Sequence, residues 1–155
     1  MSQSIGGSIV PCSTTHGDLN PCNILFTDQG ITLIDWSENG CEDPFYDLSC
    51  FALCHNYQAK EEELLLAHYL GKNPDSSQRA RYALNKRMDY VYFAIELFSI
   101  AHEAADKEGI QLKQDTPPSD WSFYMTSFEQ KSNVLSPQFF YDFARCALKN
   151  FHAYQ

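Results

Sequence analysis

Thr15-His16-Gly17-Asp18-Leu19-Asn20-Pro21-Cys22-Asn23-Ile24-Leu25, followed by Ile31-Thr32-Leu33-Ile34-Asp35-Trp36, is the stretch on which the reading of this chain turns. It holds H-x-D-x-x-x-x-N and then a second aspartate at the end of an apolar run. Residues 23–27 and 31–35 are short runs rich in Ile and Leu, separated by Asp28-Gln29-Gly30, where Gly can supply a positive φ. That pattern predicts a β-hairpin. Asp18 then lies on the loop before the hairpin, where its carboxylate can reach a substrate hydroxyl. Asn23 offers a neutral carbonyl oxygen, and Asp35 returns at the same edge of the hairpin. A carbonyl and a carboxylate converging there form a hard oxygen site suited to Mg²⁺, which takes few protein ligands and completes its shell with phosphates. Asp18 is left to orient a nucleophile or accept its proton. Phosphoryl transfer from ATP requires that division of labour.

Beyond the hairpin, residues 40–44 read as a polar loop, and from Asp47 onward the pattern is helical. Residues 47–56 are apolar. Residues 58–70 place Leu64, Leu65, Ala67, His68 and Leu70 behind Glu61, Glu62 and Glu63, whose charge suits a helix N-terminus, and Gly71 is a natural stop. Asp75 or Ser76 caps a long segment to about Ala105, in which Tyr82, Met88, Val91, Ile95 and Phe98 recur at helical spacing. Pro117-Pro118 breaks the chain before two final helices at 119–130 and 136–154, the last with Ser136 as cap and Pro137 in its first turn. The fold class is mostly α with a small β-hairpin (α+β).

The sequence has 155 residues, with 11 Lys and Arg against 20 Asp and Glu, a formal charge of −9. An acidic surface repels phosphate backbones, which argues against a nucleic-acid partner and favours cationic small molecules. With 9 Tyr, 11 Phe and 2 Trp there is ample apolar surface for an ordered core. No apolar run reaches the length of a membrane span, and residues 1–10 lack the basic and apolar regions of a signal peptide, so a cytoplasmic protein is expected. Cys12, Cys22, Cys41, Cys50, Cys54 and Cys146 form no C-x-x-C pair and read as free thiols at core positions in a reducing compartment. Cys50, Cys54 and His55 come nearest to a zinc set, but they sit in an apolar helix pattern.

The H-x-D-x-x-x-x-N loop with its downstream Asp resembles the catalytic and metal-binding elements of the protein-kinase-like fold. His16-Gly17-Asp18-Leu19-Asn20-Pro21-Cys22-Asn23-Ile24-Leu25 with Ile34-Asp35-Trp36 is similar to the aminoglycoside phosphotransferase and choline kinase superfamily. Asp43-Pro44-Phe45-Tyr46-Asp47-Leu48-Ser49 resembles the D-P-x-x-D-L-A stretch that follows in those enzymes, and residues 61–71 look like the bacterial choline kinase branch. The resemblance implies that Asp18 is the catalytic base and that Asn23 and Asp35 hold Mg²⁺. It also implies that His16 braces the loop against the hairpin and that Asp47 accepts backbone hydrogen bonds that steady it. Cys22 stands where the superfamily commonly has Gly, Asn20 where many relatives have His, and Ser37 where choline kinases often have Glu. The tripeptide His16-Gly17-Asp18 also occurs in metallophosphoesterases, whose other His and Asp motifs are not visible here.

A cationic substrate could be met by aromatics through cation–π attraction and by nearby carboxylates. Trp36, Glu38 and Trp121 are the candidates for that contact, whereas the helical spacing of Tyr92 and Phe93 predicts core positions. His55, His68, His102 and His152 show no ligand spacing. The expected organisation is a short segment 1–15 and a kinase-like C-terminal lobe 16–155. Within the lobe, 16–45 carries the catalytic loop and metal-binding hairpin, and 46–155 the helical substrate-binding subdomain. A complete enzyme of this fold also needs an N-terminal lobe with a Gly-rich strand pair and a strand Lys on the phosphates. Only 15 residues precede His16, and none of them is Lys. The expectation is therefore the C-terminal lobe alone, as a truncated frame, a fragment or one half of a split protein, with little activity by itself. An apolar face is expected where the missing lobe would dock, so self-association is a further expectation. The implied partners are ATP and a small cationic alcohol, choline or ethanolamine before an aminoglycoside. The competing class is a binding or regulatory module that keeps the lobe without the chemistry.

Overall fold

The computed structural model describes residues 12–115, 117–130 and 136–153. Among the described residues four short strands precede five α-helices. Strand β1 is Ser13–Thr15, β2 Ile24–Thr27, β3 Gly30–Leu33 and β4 Gly40–Glu42. Helix α1 spans Pro44–Cys54, α2 Ala59–Leu70, α3 Ser76–Glu108, α4 Trp121–Glu129 and α5 Pro137–Ala153. The β2–β3 hairpin forms where the apolar runs predict it, antiparallel with Ile24 opposite Leu33 and Thr27 opposite Gly30. A second pair was not expected: β1 lies antiparallel to β4, with Ser13 opposite Glu42 and Thr15 opposite Gly40. Residues 40–42 are thus a strand rather than part of a polar loop. Residues 13–15, directly before His16, are held by this pairing.

The helix boundaries follow local chemistry. Asp43 accepts from the Phe45 N–H at 2.9 Å and Pro44 occupies the first turn of α1. Glu61 reaches back to the Gln58 N–H at 2.7 Å at the start of α2, which ends at Gly71 with φ +66°. At α3, Asp75 accepts from the Gln78 N–H at 2.9 Å while Gln78 accepts from the Asp75 N–H at 2.9 Å, a reciprocal capping box. Ser136 Oγ accepts from the Phe139 N–H at 3.2 Å at the start of α5.

Helix α3 is the spine, packed lengthwise against α5 on one side and against α1 on another. The principal core gathers Leu53, Tyr90, Leu97, Trp121, Tyr124 and Phe143 with their neighbours, and a smaller one holds Phe45, Ala52, Leu66 and Tyr82. The buried face of α3 is Tyr82, Lys86, Asp89, Tyr90, Ala94, Leu97, Ala101 and Ala105. Met88 and Ile95, which the spacing places with the core, are exposed. Both faces of α3 carry apolar residues at helical intervals, and packing against α5 selects the one with small residues. Lys86 pairs with Glu62 in the interior and ties α2 to α3. Arg81 grips the Asp43 carboxylate through Nη2 at 2.8 Å and ties α3 to the start of α1. The hairpin presents an apolar face instead of a core, with Phe26 82% exposed and Ile31, opposite it, 66% exposed. No helix among the described residues is long and apolar enough to cross a membrane.

The cysteines divide. Cys50, Cys54 and Cys146 are buried as expected, and Cys22 is exposed. Cys12 and Cys41 are joined in a disulfide, which corrects the reading of all six as free core thiols. The cause is strand register: Thr14 faces Cys41, and Cys12 lies two residues away on the same side of its strand.

Trp121 is the centre of the aromatic core, with its ring 5.1 Å from Tyr90 and 4.9 Å from Phe143 and its Nε1–H donated to Leu53 O at 3.2 Å. Trp121→Ala should therefore destabilise the chain by about 3–5 kcal/mol, read as a lowered urea midpoint at unchanged slope.

Candidate active site

The loop between β1 and the hairpin is held from below by α1. Asp47 Oδ2 accepts the His16 N–H at 2.8 Å and Oδ1 the Gly17 N–H at 3.0 Å. His16, buried, spans from the loop to the hairpin. Its Nδ1 accepts the Asp18 N–H at 3.3 Å, so Nε2 carries the proton and donates it to Ile34 O at 2.8 Å. Trp36 covers the same imidazole with ring centroids 4.5 Å apart, and its Nε1–H is donated to Leu33 O. Gly17 has φ +87°, and a Cβ there would sit 2.2 Å from Glu38 O. Only Gly satisfies both the dihedral and the contact.

Asp18 is half-buried and oriented by two side-chain amides. Asn23 Nδ2 donates to Asp18 Oδ2 at 2.8 Å and to Asp18 O at 2.9 Å. Asn20 Nδ2 donates to both carboxylate oxygens, at 2.9 and 2.8 Å. Its own Oδ1 accepts the Cys22 N–H at 2.8 Å, which caps the 3₁₀ turn Pro21–Asn23. Asn20 was not among the expected site residues. Its spacing, two residues after Asp18 and before a proline, was the available signal.

Asn23 and Asp35 are brought together by register. The Ile34 N–H donates to Asn23 O at 3.0 Å and so extends the hairpin ladder one step beyond Ile24 and Leu33. Asp35 follows directly, in the left-handed conformation at φ +59°, an uncommon place for a non-Gly residue and one that clusters at functional sites. One of its oxygens accepts from Ser37 Oγ at 3.0 Å. The Asn23 amide nitrogen is spent on Asp18, which leaves Oδ1 as a free acceptor. Asn23 and Asp35 thus fit the sparse oxygen set of Mg²⁺. Among the described residues no cluster of three or more His, Cys, Asp or Glu suits a metal.

The surroundings of Asp18 are acidic. On α3, Tyr92 is 45% exposed, not in the core as its spacing predicts, whereas Phe93 packs against the core. Partial burial, followed by the charges of Glu96, Glu38 and Asp18, pushes the Tyr92 phenol above its ordinary range. Cys54 is likewise held as the thiol, by its hydrogen bond with Cys50, by burial and by nearby charges that include Asp18. A cavity of about 370 Å³ opens beside Glu38, walled also by Glu42, Asp43, Tyr46 and Asn85. Of the expected substrate contacts, Trp36 and Glu38 lie at the loop, while Trp121 is sequestered in the core. Trp121 does line another cavity of about 400 Å³ together with Glu62, Lys86 and Asp120, but no residue of the loop or hairpin contributes to it.

Residues 11–83 match the phosphotransferase enzyme family. A choline/ethanolamine kinase family protein from Mesorhizobium loti, known from a crystal structure at 2.55 Å resolution, superposes with a TM-score of 0.58 and 19% sequence identity. The match covers 93% of this chain and 40% of that protein, and at such identity it is a likeness of fold. No curated protein matches the chain. The chain spans less than half the length of this solved relative.

Gly17→Ala should cost at least about 2 kcal/mol, from left-handed strain and the overlap with Glu38 O. The imidazole of His16 would then lose its slow-exchanging Nε2 proton in NMR spectra, whereas a change at exposed Gly30, whose Cβ would meet nothing within 4 Å, should leave that proton in place.

Proposed function

Taking the chain as a lobe of the aminoglycoside phosphotransferase and choline kinase superfamily, we propose that it is the C-terminal lobe of an ATP-dependent phosphotransferase acting on the hydroxyl of a small cationic alcohol of the choline or ethanolamine class. The observation that carries this reading is the joining of Asp18 to Asn23 by hydrogen bonds, with Asp35 set beside Asn23 by the hairpin register. Asp18 accepts the proton of the substrate hydroxyl. The oxygen attacks the γ-phosphorus, the bond to the β-phosphate oxygen breaks, and ADP leaves. Asn20 and Asn23 keep the carboxylate aimed, and the His16 and Asp47 contacts keep its loop from shifting. Mg²⁺, held by Asn23 and Asp35, would neutralise charge on the phosphates.

Cationic substrate is supported by the carboxylates of Glu38 and Glu96 around the exposed Tyr92 ring and by Trp36 at the edge of the loop. The net charge of −9 acts in the same sense. An aminoglycoside, also polycationic, fits the same potential and is the second substrate reading. The triphosphate-gripping Lys of this fold belongs to the other lobe, whether in a longer protein or a separate chain. The apolar hairpin face at Phe26 and Ile31 supports docking of that lobe there.

In the assembled enzyme Asp18→Asn should lower kcat by a factor of about 10²–10⁴ with Mg·ATP binding retained, measured by steady-state assay and nucleotide titration. Unchanged turnover would remove Asp18 from the chemistry. The 155-residue chain alone should turn over little ATP. Robust turnover by it would overturn the two-lobe reading. Across choline, ethanolamine, thiamine, sugars and aminoglycosides, phosphorylation confined to neutral sugars would refute the cationic assignment, and failure to phosphorylate any alcohol would favour a binding module.

A further inference from the structure

The residues that bear the candidate chemistry sit in a segment that the hydrophobic core does not hold. Among the described residues, 12–41 contribute no apolar side chain to the buried core, and the buried side chains of that stretch are the polar ones of Thr15, His16 and Asn23. Its hairpin turns Phe26 and Ile31 out to solvent. The stretch is kept in place by the pairing of β1 with β4 and by the hold of Asp47 on the His16 and Gly17 amides. Apolar burial, the main favourable contribution in the helical part, is slight here.

One covalent bond closes this stretch. Cys12 and Cys41 are 29 positions apart in sequence, and their Cα atoms lie 5.5 Å apart, a separation that a disulfide spans without moving the backbone. His16, Gly17, Asp18, Asn23, Asp35 and Glu38 all fall inside the ring. Helix α1, which carries Asp47, begins just outside it at Pro44. Closing such a ring removes conformations mainly from the state in which the segment has come away from α1, and so favours the docked state. Both cysteines are exposed, and a disulfide open to solvent is of the labile, regulatory kind.

We propose that the Cys12–Cys41 disulfide is a redox-operated clamp on the loop at 16–18, closed by oxidation and opened by a thiol reductant. In opening, a thiolate of the reductant attacks one cysteine sulfur and the bond between the two cysteines breaks. The other cysteine leaves as a thiolate and takes a proton. A second thiol of the reductant then displaces the first cysteine as a thiol, and the reductant departs as a disulfide. Two electrons and two protons pass to the cysteines, and the reductant gives up the same number. Without the ring, β1 and β4 keep only a three-residue ladder, too short to be stable by itself, and the loop comes away from Asp47 more often. The clamp is defined by backbone position, so its test is independent of the phosphotransfer reading.

The test uses the full chain carrying Cys22→Ser, which removes the exposed free thiol, equilibrated in glutathione buffers of graded ratio. Iodoacetamide labelling read by mass spectrometry reports the two cysteines, and NMR hydrogen exchange reports the amides. In the most oxidising buffer Cys12 and Cys41 should resist the label. Reduction should open both to it and lower protection of the His16 and Gly17 amides by about tenfold or more. Amides of the α3–α5 core, such as Leu97 and Ala144, should change less than about twofold. Labelling and loop protection should share one midpoint, and Cys12→Ser should show the low protection in every buffer. The proposal is overturned by labelling of both cysteines in the most oxidising buffer or by a bond that stays closed at about a hundredfold excess of reduced glutathione. Unchanged loop protection on reduction, or an equal fall across the core, overturns it as well. Should Cys12→Ser not fold, the reduced chain decides by the same comparison of loop with core.

Discussion

One carboxylate, that of Asp47, takes the backbone N–H groups of His16 and Gly17, and the arrangement of the site depends on that pair of hydrogen bonds. Charge-assisted bonds of this kind contribute about 1.5–3 kcal/mol each when their partners are shielded from water. They act on two consecutive peptides, so they define the direction in which the chain arrives at Asp18. Asp47 itself is placed by α1, whose first turn is capped by Asp43. Burial alone would raise the Asp43 carboxyl, but Arg81 and the Phe45 N–H hold it below its usual value. The long α3 thereby anchors the loop through Arg81, Asp43 and α1 in turn.

The remaining parts of the site are tied to one another rather than to the core. His16 links the Asp18 amide to the peptide before Asp35. Asn23 links the Asp18 carboxylate to the hairpin, and the extension of the ladder to Ile34 sets Asp35 beside it. Asp18, Asn23 and Asp35, spread over 18 residues, are thus placed by short hydrogen bonds along two loops and one strand pair. Phosphoryl transfer asks little more of a protein lobe than such positioning, because the charge to be stabilised lies on the phosphates. Under the proposed function, the carboxylates of Glu38 and Glu96 beside the Tyr92 ring are the part of the arrangement that would discriminate among alcohols.

Much of this was legible beforehand because it is local. The hairpin is written in two Ile- and Leu-rich runs around Gly30, and its closing contacts are a few residues apart. The starts of α3 and α5 follow from Asp75 and Ser136, each capping an N–H three residues on. Helix α1 instead begins at Pro44, three residues before the helical pattern shows, because Asp43 caps Phe45 and is held by Arg81. What was misread depends on distant partners. Residues 13–15 and 40–42 are too short to show a strand period, and they become strands only by pairing with each other. The Cys12–Cys41 bond follows from that pairing. Met88 and Tyr92 sit at intervals indistinguishable from core spacing, yet α5 packs against the opposite face of α3.

The sequence by itself determined the helical class and the candidate set of Asp18, Asn23 and Asp35, since these rest on residue identity and short spacing. Tertiary structure decided which carboxylates gather at the loop and which aromatics leave it. Trp121, equally suited by composition to a substrate cage, went to the core because Leu53 O, Tyr90 and Phe143 converge on it. Asp89, unremarked in the sequence, is a fully buried acid on α3. Burial and the proximity of unlike elements are properties of packing, and no spacing along one chain specifies them in advance.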